Sequence, residues 1–164
     1  GCSTGEEPYT LAFEAHDFFG ASFISNGGLR ILGSDVNTEV LESAIHGCYA
    51  EKLLSPIPDS FRRRYFTSES EKPNSHNQVK TEIQRLIQFR QFNLMSAEYP
   101  IATKFQLIFC RNVLYYLQPE RREFLIRKLV DHLEEGGWLV LGITESGYSI
   151  DKMEKHSISI YQKT

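Results

Sequence analysis

Two adjacent carboxylates, Glu6 and Glu7, follow a glycine-rich run in residues 1–13, GCSTGEEPYTLAF. The run has two glycines, small hydroxyl residues and then a proline before an apolar stretch. That order predicts a tight turn entering a helix, with backbone N–H groups and polar side chains presented to a bound molecule. Glu6, Glu7 and Pro8 suit the first helical turn, where proline is tolerated and acids complement the positive end of the dipole. Two anions at that point repel a phosphate, so the ligand expected there carries positive charge near the loop.

Further along, isolated polar residues fall where apolar runs end. Asp35 closes 29–34, LRILGS, and can accept both hydroxyls of a ribose or serve as a helix cap or turn residue. Asn93 follows a short strand suggested by Ile87, Phe89 and Phe92, where an amide can pair with an adenine edge, a weak signal alone. Arg111-Asn112 interrupts an apolar stretch as it leaves the core, and marks either a site or a cap. Tyr115-Tyr116 suits either the positioning of a substrate carboxylate or aromatic packing. Arg62-Arg63-Arg64 is either a basic face for an acidic protein or a solvated run. The five histidines show no metal-ligand spacing with carboxylates or cysteines, and no Ser/His/Asp arrangement emerges.

These positions need a scaffold. At 164 residues the chain fits one domain with its own core, and 41% hydrophobic against 24% charged residues is ordinary for a soluble globular protein. A net charge of -3 gives no electrostatic case for nucleic-acid binding. No apolar run approaches the roughly 18 residues of a membrane span, and no basic-then-apolar leader is present. Three widely spaced cysteines without a C-x-x-C pair fit a reducing, cytoplasmic setting rather than a disulfide scaffold or a structural zinc site.

Hydrophobic spacing predicts a helix over 8–20 ending at Gly20, a strand over 29–34, and a helix over 37–45 capped by Asn37 or Thr38 and closed by Gly47. From 48 to about 80 the periodicity is lost, with 67–78 read as an exposed polar loop. Residues 79–87 carry weak structure, and a short strand leads from Ile87 to Asn93. Residues 105–110, FQLIFC, read as a strand buried on both faces. A helix follows from Pro119 to about 133 with Phe124, Leu125, Leu129 and Val130 inside. Then come a turn at Glu134-Glu135-Gly136-Gly137, a strand over 138–142 followed by Ile143-Thr144-Glu145-Ser146, and a closing strand at 157–162. Strands alternating with helices, with polar residues just past strand ends, predict an open α/β sheet with its ligand at the carboxyl edge.

The segments GCSTGEEPYTLAF, LGSDVNTEVLESAIHGCY, IQFRQFNLM, FQLIFCRNVLYYL and LEEGGWLVLGITES resemble, in this order, the signature of the chemotaxis receptor methyltransferases. These are bacterial protein-glutamate O-methyltransferases that use S-adenosylmethionine and release S-adenosylhomocysteine. The resemblance covers most of 1–164 and is carried above all by STGEEPY and IFCRNV. It implies a doubly wound, mostly parallel, class I methyltransferase-like (Rossmann-like) α/β domain over 1–164, with a small inserted antiparallel subdomain at about 60–90. It also implies a helical domain and a first strand ahead of the glycine-rich loop, both expected to be missing here. The chain by itself is then expected to bind poorly or to be inactive.

Carried over by that resemblance, Thr4 and Glu6 face the cofactor, with Glu6 or Glu7 near the methionyl ammonium. Asp35 is the ribose-binding acid, and Asn93 and Leu94 form the adenine-side pair. Arg111, Asn112 and Tyr116 form the strand-end group beside the methionyl part and the acceptor, with Arg111 and Tyr116 in catalytic roles. The implied partner is a chemoreceptor or similar signalling protein bearing acceptor glutamates, with no nucleic acid, metal or membrane insertion. Departures are Gln106, where the family has an acid, and Gly142-Ile143-Thr144-Glu145, where it has GHSE. Two other readings remain: a non-catalytic S-adenosylmethionine-binding sensor or interaction module, and a methyltransferase acting on a free carboxylic acid.

Overall fold

The computed structural model describes residues 1–68, 76–145 and 147–164. It divides into two compact units, Cys2–Phe92 and Asn93–Thr164 with Gly1.

In the first unit, helix α1 (Glu6–Ser25) starts where Gly5 takes a left-handed φ of 92°. Glu6, Glu7 and Pro8 form its first turn, as the composition requires. Tyr9, Ala12 and Phe13 are buried on one face. Gly20, expected as the stop, breaks the helix (φ 80°, ψ 158°), but the chain resumes helical geometry to Ser25. Strand β1 (Ile31–Asp35) leads to helix α2 (Thr38–His46), whose N-cap Asn37 accepts the Glu39 N–H at 2.9 Å. Gly47 closes α2 in the left-handed region (φ 59°).

The aperiodic span is ordered by pairing rather than by sequence period. Strand β2 (Cys48–Ala50), helices α3 (Glu51–Leu54) and α4 (Asp59–Tyr65), and strands β3 (Phe66–Ser68) and β4 (His76–Val79) follow. They form an antiparallel sheet in the order β2-β4-β3. Thr67 and His76 to Gln78 therefore lie in strands rather than in the expected polar loop; residues 69–75 of that loop lie outside the described residues. A short helix α5 (Thr81–Gln84) connects to β5 (Ile87–Gln91), which runs parallel to β1 with Ile31 opposite Ile87 and Asp35 opposite Gln91. The antiparallel sheet thus begins at Cys48, ahead of the expected 60–90 insert, while Ile87–Gln91 belongs to the parallel pair. The bounds differ because Cys48–Ala50 is too short to show an alternation. Tyr9, Phe13, Tyr49, Tyr65, Phe66, Val79, Ile83 and Ile87 share one core, with the Phe13 and Tyr65 rings stacked at 4.5 Å.

In the second unit, β6 (Phe105–Cys110) runs parallel to β7 (Leu133–Leu141) through helix α6 (Pro119–Asp131). The hairpin of β8 (Met153–Lys155) and β9 (Ile160–Lys163) adds two antiparallel strands, in the order β6-β7-β9-β8. The expected turn at Glu134 to Gly137 is instead a large bulge within β7. Phe105 pairs with Leu133 and Leu107 with Trp138, while Gly136 takes a φ of 77°.

Leu125, Ile126, Leu129 and Val130 of α6 pack with Cys110, Leu139, Leu141 and Tyr161. Ile126 takes the inner place expected of Phe124, which is 36% exposed. The expectation that β6 is buried on both faces also fails, since Leu107 is 48% exposed. Continuous apolar character does not reveal coverage: the face with Ile108 and Cys110 enters the α6 cluster, and the Leu107 face does not. Among the described residues no helix is long and apolar enough to cross a membrane.

Candidate functional site

The glycine-rich loop is pinned to the carboxyl end of β1 by main-chain and carboxylate contacts. The Cys2 N–H donates to the Ser34 carbonyl at 2.9 Å, and the Ser3 N–H to Asp35 Oδ2 at 2.9 Å. Asp35 Oδ1 accepts the Asn37 N–H at 3.0 Å, so one carboxylate ties the loop to the turn that starts α2. Burial works against the Asp35 charge, but the amides of Asn37 and Ser3 outweigh it and hold the carboxyl below its ordinary range. Asp35 is thus a turn residue, while the capping role belongs to Asn37. Its remaining lone pairs are compatible with a ribose diol.

Ser3 and Gly5 both take left-handed geometry, at φ 51° and 92°. A Cβ on Gly5 would stand 2.9 Å from the Ala44 Cβ and 3.2 Å from the Tyr49 hydroxyl, so the close turn requires glycine. The Thr4 hydroxyl lies 2.6 and 2.7 Å from the two Glu6 carboxylate oxygens, orienting that acid at the start of α1. Tyr49 donates its hydroxyl to the Thr4 carbonyl at 2.8 Å. Burial, and then the Glu6 charge, hold the Tyr49 phenol far above its ordinary value, so it stays a neutral donor. Thr4, Glu6 and Asp35 are therefore gathered on one loop and one strand end.

Asn93 and Leu94 lie in the second unit. The Asn93 side-chain oxygen accepts the Met95 N–H at 2.8 Å, and its carbonyl accepts the Ser96 N–H at 3.0 Å. Leu94 packs against the α6 cluster, and its carbonyl accepts the Tyr99 hydroxyl at 2.5 Å. Lys128 of α6 reaches back to this turn, donating to the Ser96 carbonyl at 2.7 Å and lying 4.4 Å from the centre of the Tyr99 ring.

At the ends of β6 and β7 the organising group is Glu145. It is 4% exposed, in a short 3-10 turn (Ile143–Glu145). Its Oε2 accepts the N–H of Asn112 at 2.7 Å and of Gly142 at 3.1 Å, and its Oε1 accepts the N–H of Tyr115 at 3.2 Å. Asn112 takes a φ of 60°, a conformation asparagine tolerates. Arg111 and Asn112 are exposed beside it, and Tyr116 is 75% exposed with its ring centre 3.9 Å from that of Tyr115. Hydrogen bonding to Tyr116 raises the Tyr115 phenol above its ordinary value.

Sequence reasoning missed Tyr49 as a support of the loop and Glu145 as the clamp at the strand ends. Nothing local marks Tyr49, which is 45 residues from its partner. Glu145 left a trace, an acid four residues past the end of the apolar β7. The basic run divides in the structure. Arg62 pairs with Glu51, which also accepts from Asn77 at 2.8 Å, and Arg64 pairs with Asp17 on α1. Arg63 is exposed. Two of the three cations are thus engaged inside the unit.

A family model described as the SAM binding domain of CheR methyltransferase matches residues 1–161. The chain is 31% identical over 163 residues to a chemotaxis protein methyltransferase of Borreliella burgdorferi, covering 99% of this chain and 56% of that protein. It is 33% identical over 150 residues to one of Klebsiella aerogenes, covering 92% of this chain and 51% of that protein. The chain therefore spans about half the length of these relatives. The crystal structure of the [4+2]-cyclase SpnF superposes with a TM-score of 0.50 at 18% identity, covering 86% of this chain and 35% of that one. That likeness concerns the fold alone, a Rossmann-like class I methyltransferase fold. With the family model spanning all but the last residues, the chain belongs to the CheR methyltransferase family through its SAM-binding domain.

Proposed function

We propose that this domain binds S-adenosylmethionine and transfers its methyl group to glutamate side chains of a chemoreceptor-type protein, on the cytoplasmic side. The observation that carries the reading is the family match over residues 1–161 to a SAM-binding methyltransferase domain. The residues fit that cofactor. Glu6 supplies an acid at a loop suited to an ammonium group, and Asp35 keeps acceptor capacity for ribose hydroxyls. With the Asn93 carboxamide oxygen committed to Met95, its NH2 is the group that would donate to an adenine nitrogen.

The cofactor supplies an electrophilic methyl on a sulfonium sulfur. A glutamate carboxylate oxygen of the acceptor forms the new O–CH3 bond as the C–S bond breaks with its electron pair going to sulfur, leaving a methyl ester and a neutral thioether. The acceptor is already ionised at neutral pH, so no residue has to remove a proton. The protein's work is alignment and exclusion of water. Tyr116 and Arg111 are the residues assigned to orient the acceptor carboxylate, through a phenol donor and a guanidinium. Thr4, Glu6, Asp35, Asn93, Leu94 and Asn112 are assigned to hold the donor.

The test is titration of the protein carrying this domain with S-adenosylhomocysteine, followed by transfer of labelled methyl to a glutamate-bearing receptor domain. Saturable binding and base-labile, methanol-releasing label are expected. Absence of binding at high micromolar ligand overturns the reading; binding without transfer to receptor glutamates favours the non-catalytic module.

A further inference from the structure

Glu145 is a buried carboxylate whose described hydrogen-bond partners are all main-chain N–H groups: Asn112, Gly142 and Tyr115. Burying a charge costs free energy unless several strong hydrogen bonds meet it, so three amides converging on one side chain mark a built arrangement. The amides come from the ends of two different strands. Gly142 follows β7, whereas Asn112 and Tyr115 follow β6, on the segment that carries Tyr116. The space for the carboxylate is also built: a Cβ on Gly142 would stand 2.5 Å from Glu145 Oε2.

We infer that Glu145 is the positioning residue for the strand-end group, fixing the backbone at Asn112 and Tyr115 and thereby the directions of the Asn112 side chain and the Tyr115-Tyr116 pair. The physical reason is leverage. Asn112 is held at φ 60°, where its side chain leaves the backbone in a direction the ordinary α and β regions do not give. Two residues later the chain enters a 3-10 turn (Leu114–Tyr116) whose middle N–H is the one bound by Oε1. A change in the carboxylate therefore reorients side chains it does not touch. Supporting contacts of this kind keep reacting groups within the tolerance that chemistry demands.

This inference rests on the methyl-transfer reading above, and the test separates the two. Glu145→Gln keeps the shape but turns an NH2 group toward backbone N–H donors, and Gly142→Ala displaces the carboxylate with its charge intact. Three quantities are measured, the last two well below the melting temperature. They are the melting temperature itself, the turnover per site that binds S-adenosylhomocysteine, and the NMR resonances of the Asn112 side-chain amide and the Tyr115 and Tyr116 rings. Both variants are expected to shift those resonances and to lower turnover per binding site on the order of tenfold to a hundredfold. A lowered melting temperature with unchanged turnover per site and unmoved resonances would make Glu145 a stability clamp and overturn the inference. If Glu145→Gln does not fold, Gly142→Ala is read by the same criteria. Should the parent bind the cofactor product yet methylate no receptor, the methyl-transfer reading fails, and the side-chain resonances alone decide the role of Glu145.

Discussion

The Ser3 N–H donates to Asp35 Oδ2 at 2.9 Å, so the acid at the end of β1 holds in place the loop that precedes α1. The ribose role assigned to Asp35 and its structural role use the same carboxylate. Asp35→Asn replaces one acceptor oxygen by an NH2 facing a backbone N–H. The expected result is a loss of about 1 kcal/mol of stability in urea unfolding and a larger loss of S-adenosylhomocysteine affinity in titration. Equal losses in both measurements would reduce Asp35 to a structural residue.

The same contact sets a pH dependence. The folded-state pKa of Asp35 is depressed, so the stabilisation is complete above the ordinary carboxylate range and disappears as pH falls through the lower folded value. Wild type should therefore lose stability on acidification more steeply than Asp35→Asn. Unfolding midpoints of the two proteins, followed from neutral pH to below the usual carboxylate range, should converge at the acid end.

Gly5→Ala probes the turn itself. The φ of 92° is hostile to a side chain, and the new methyl would meet the Ala44 Cβ at 2.9 Å. A destabilisation of about 2 kcal/mol is expected, with weaker cofactor-product binding because Thr4 and Glu6 move with the turn. Thermal unfolding and titration of the variant read both effects.

The main elements announced themselves through residues whose local chemistry agrees with their tertiary role. Gly5-Glu6-Glu7-Pro8 can hardly do other than start a helix, and Asn37 and Gly47 bracket α2 by ordinary capping. The stretch 48–80 was opaque because its strands are too short to show a period and its order comes from pairing across Cys48–Ala50 and His76–Val79. The burial of β6 misled for a different reason: an apolar run reports affinity for a core, not which face another element covers. Asp35 and Asn112 were legible as polar breaks after strands. The clamping roles of Glu145 and Tyr49 were not, because Tyr49 acts on a backbone group 45 residues away and Glu145 on two that lie 33 and 30 residues away, and no spacing encodes that.

Lys163 is 8% exposed, and its Nζ donates to the Val130 and Leu133 carbonyls at 3.1 and 3.0 Å with Glu135 at 3.3 Å. It ties the Val130 carbonyl in the last turn of α6, where a cation suits the dipole, to the Leu133 carbonyl at the start of β7. Lys163→Met keeps the apolar stem but takes the ammonium donor away from the Val130 and Leu133 carbonyls. A loss of about 2 kcal/mol in denaturant unfolding is expected, whereas Glu135→Gln, removing only the exposed partner, should change stability by less than about 0.5 kcal/mol.

Tyr161 poses the opposite case. The residue is 1% exposed and packs in the α6 cluster, yet its hydroxyl has no hydrogen-bond partner among the described residues. A buried hydroxyl that gives up water without a replacement costs free energy, while the ring contributes fully to the core. Tyr161→Phe removes the polar atom and keeps the ring. The variant should be more stable than the parent by about 1 kcal/mol in urea unfolding, with an unchanged denaturant slope because the surface exposed on unfolding barely alters. Tyr161→Leu, which also removes the ring, should be destabilised by the cavity it leaves. A stability loss in the Phe variant would mean that the hydroxyl is satisfied in solution, by a bound water or by a shift of β9 against β7.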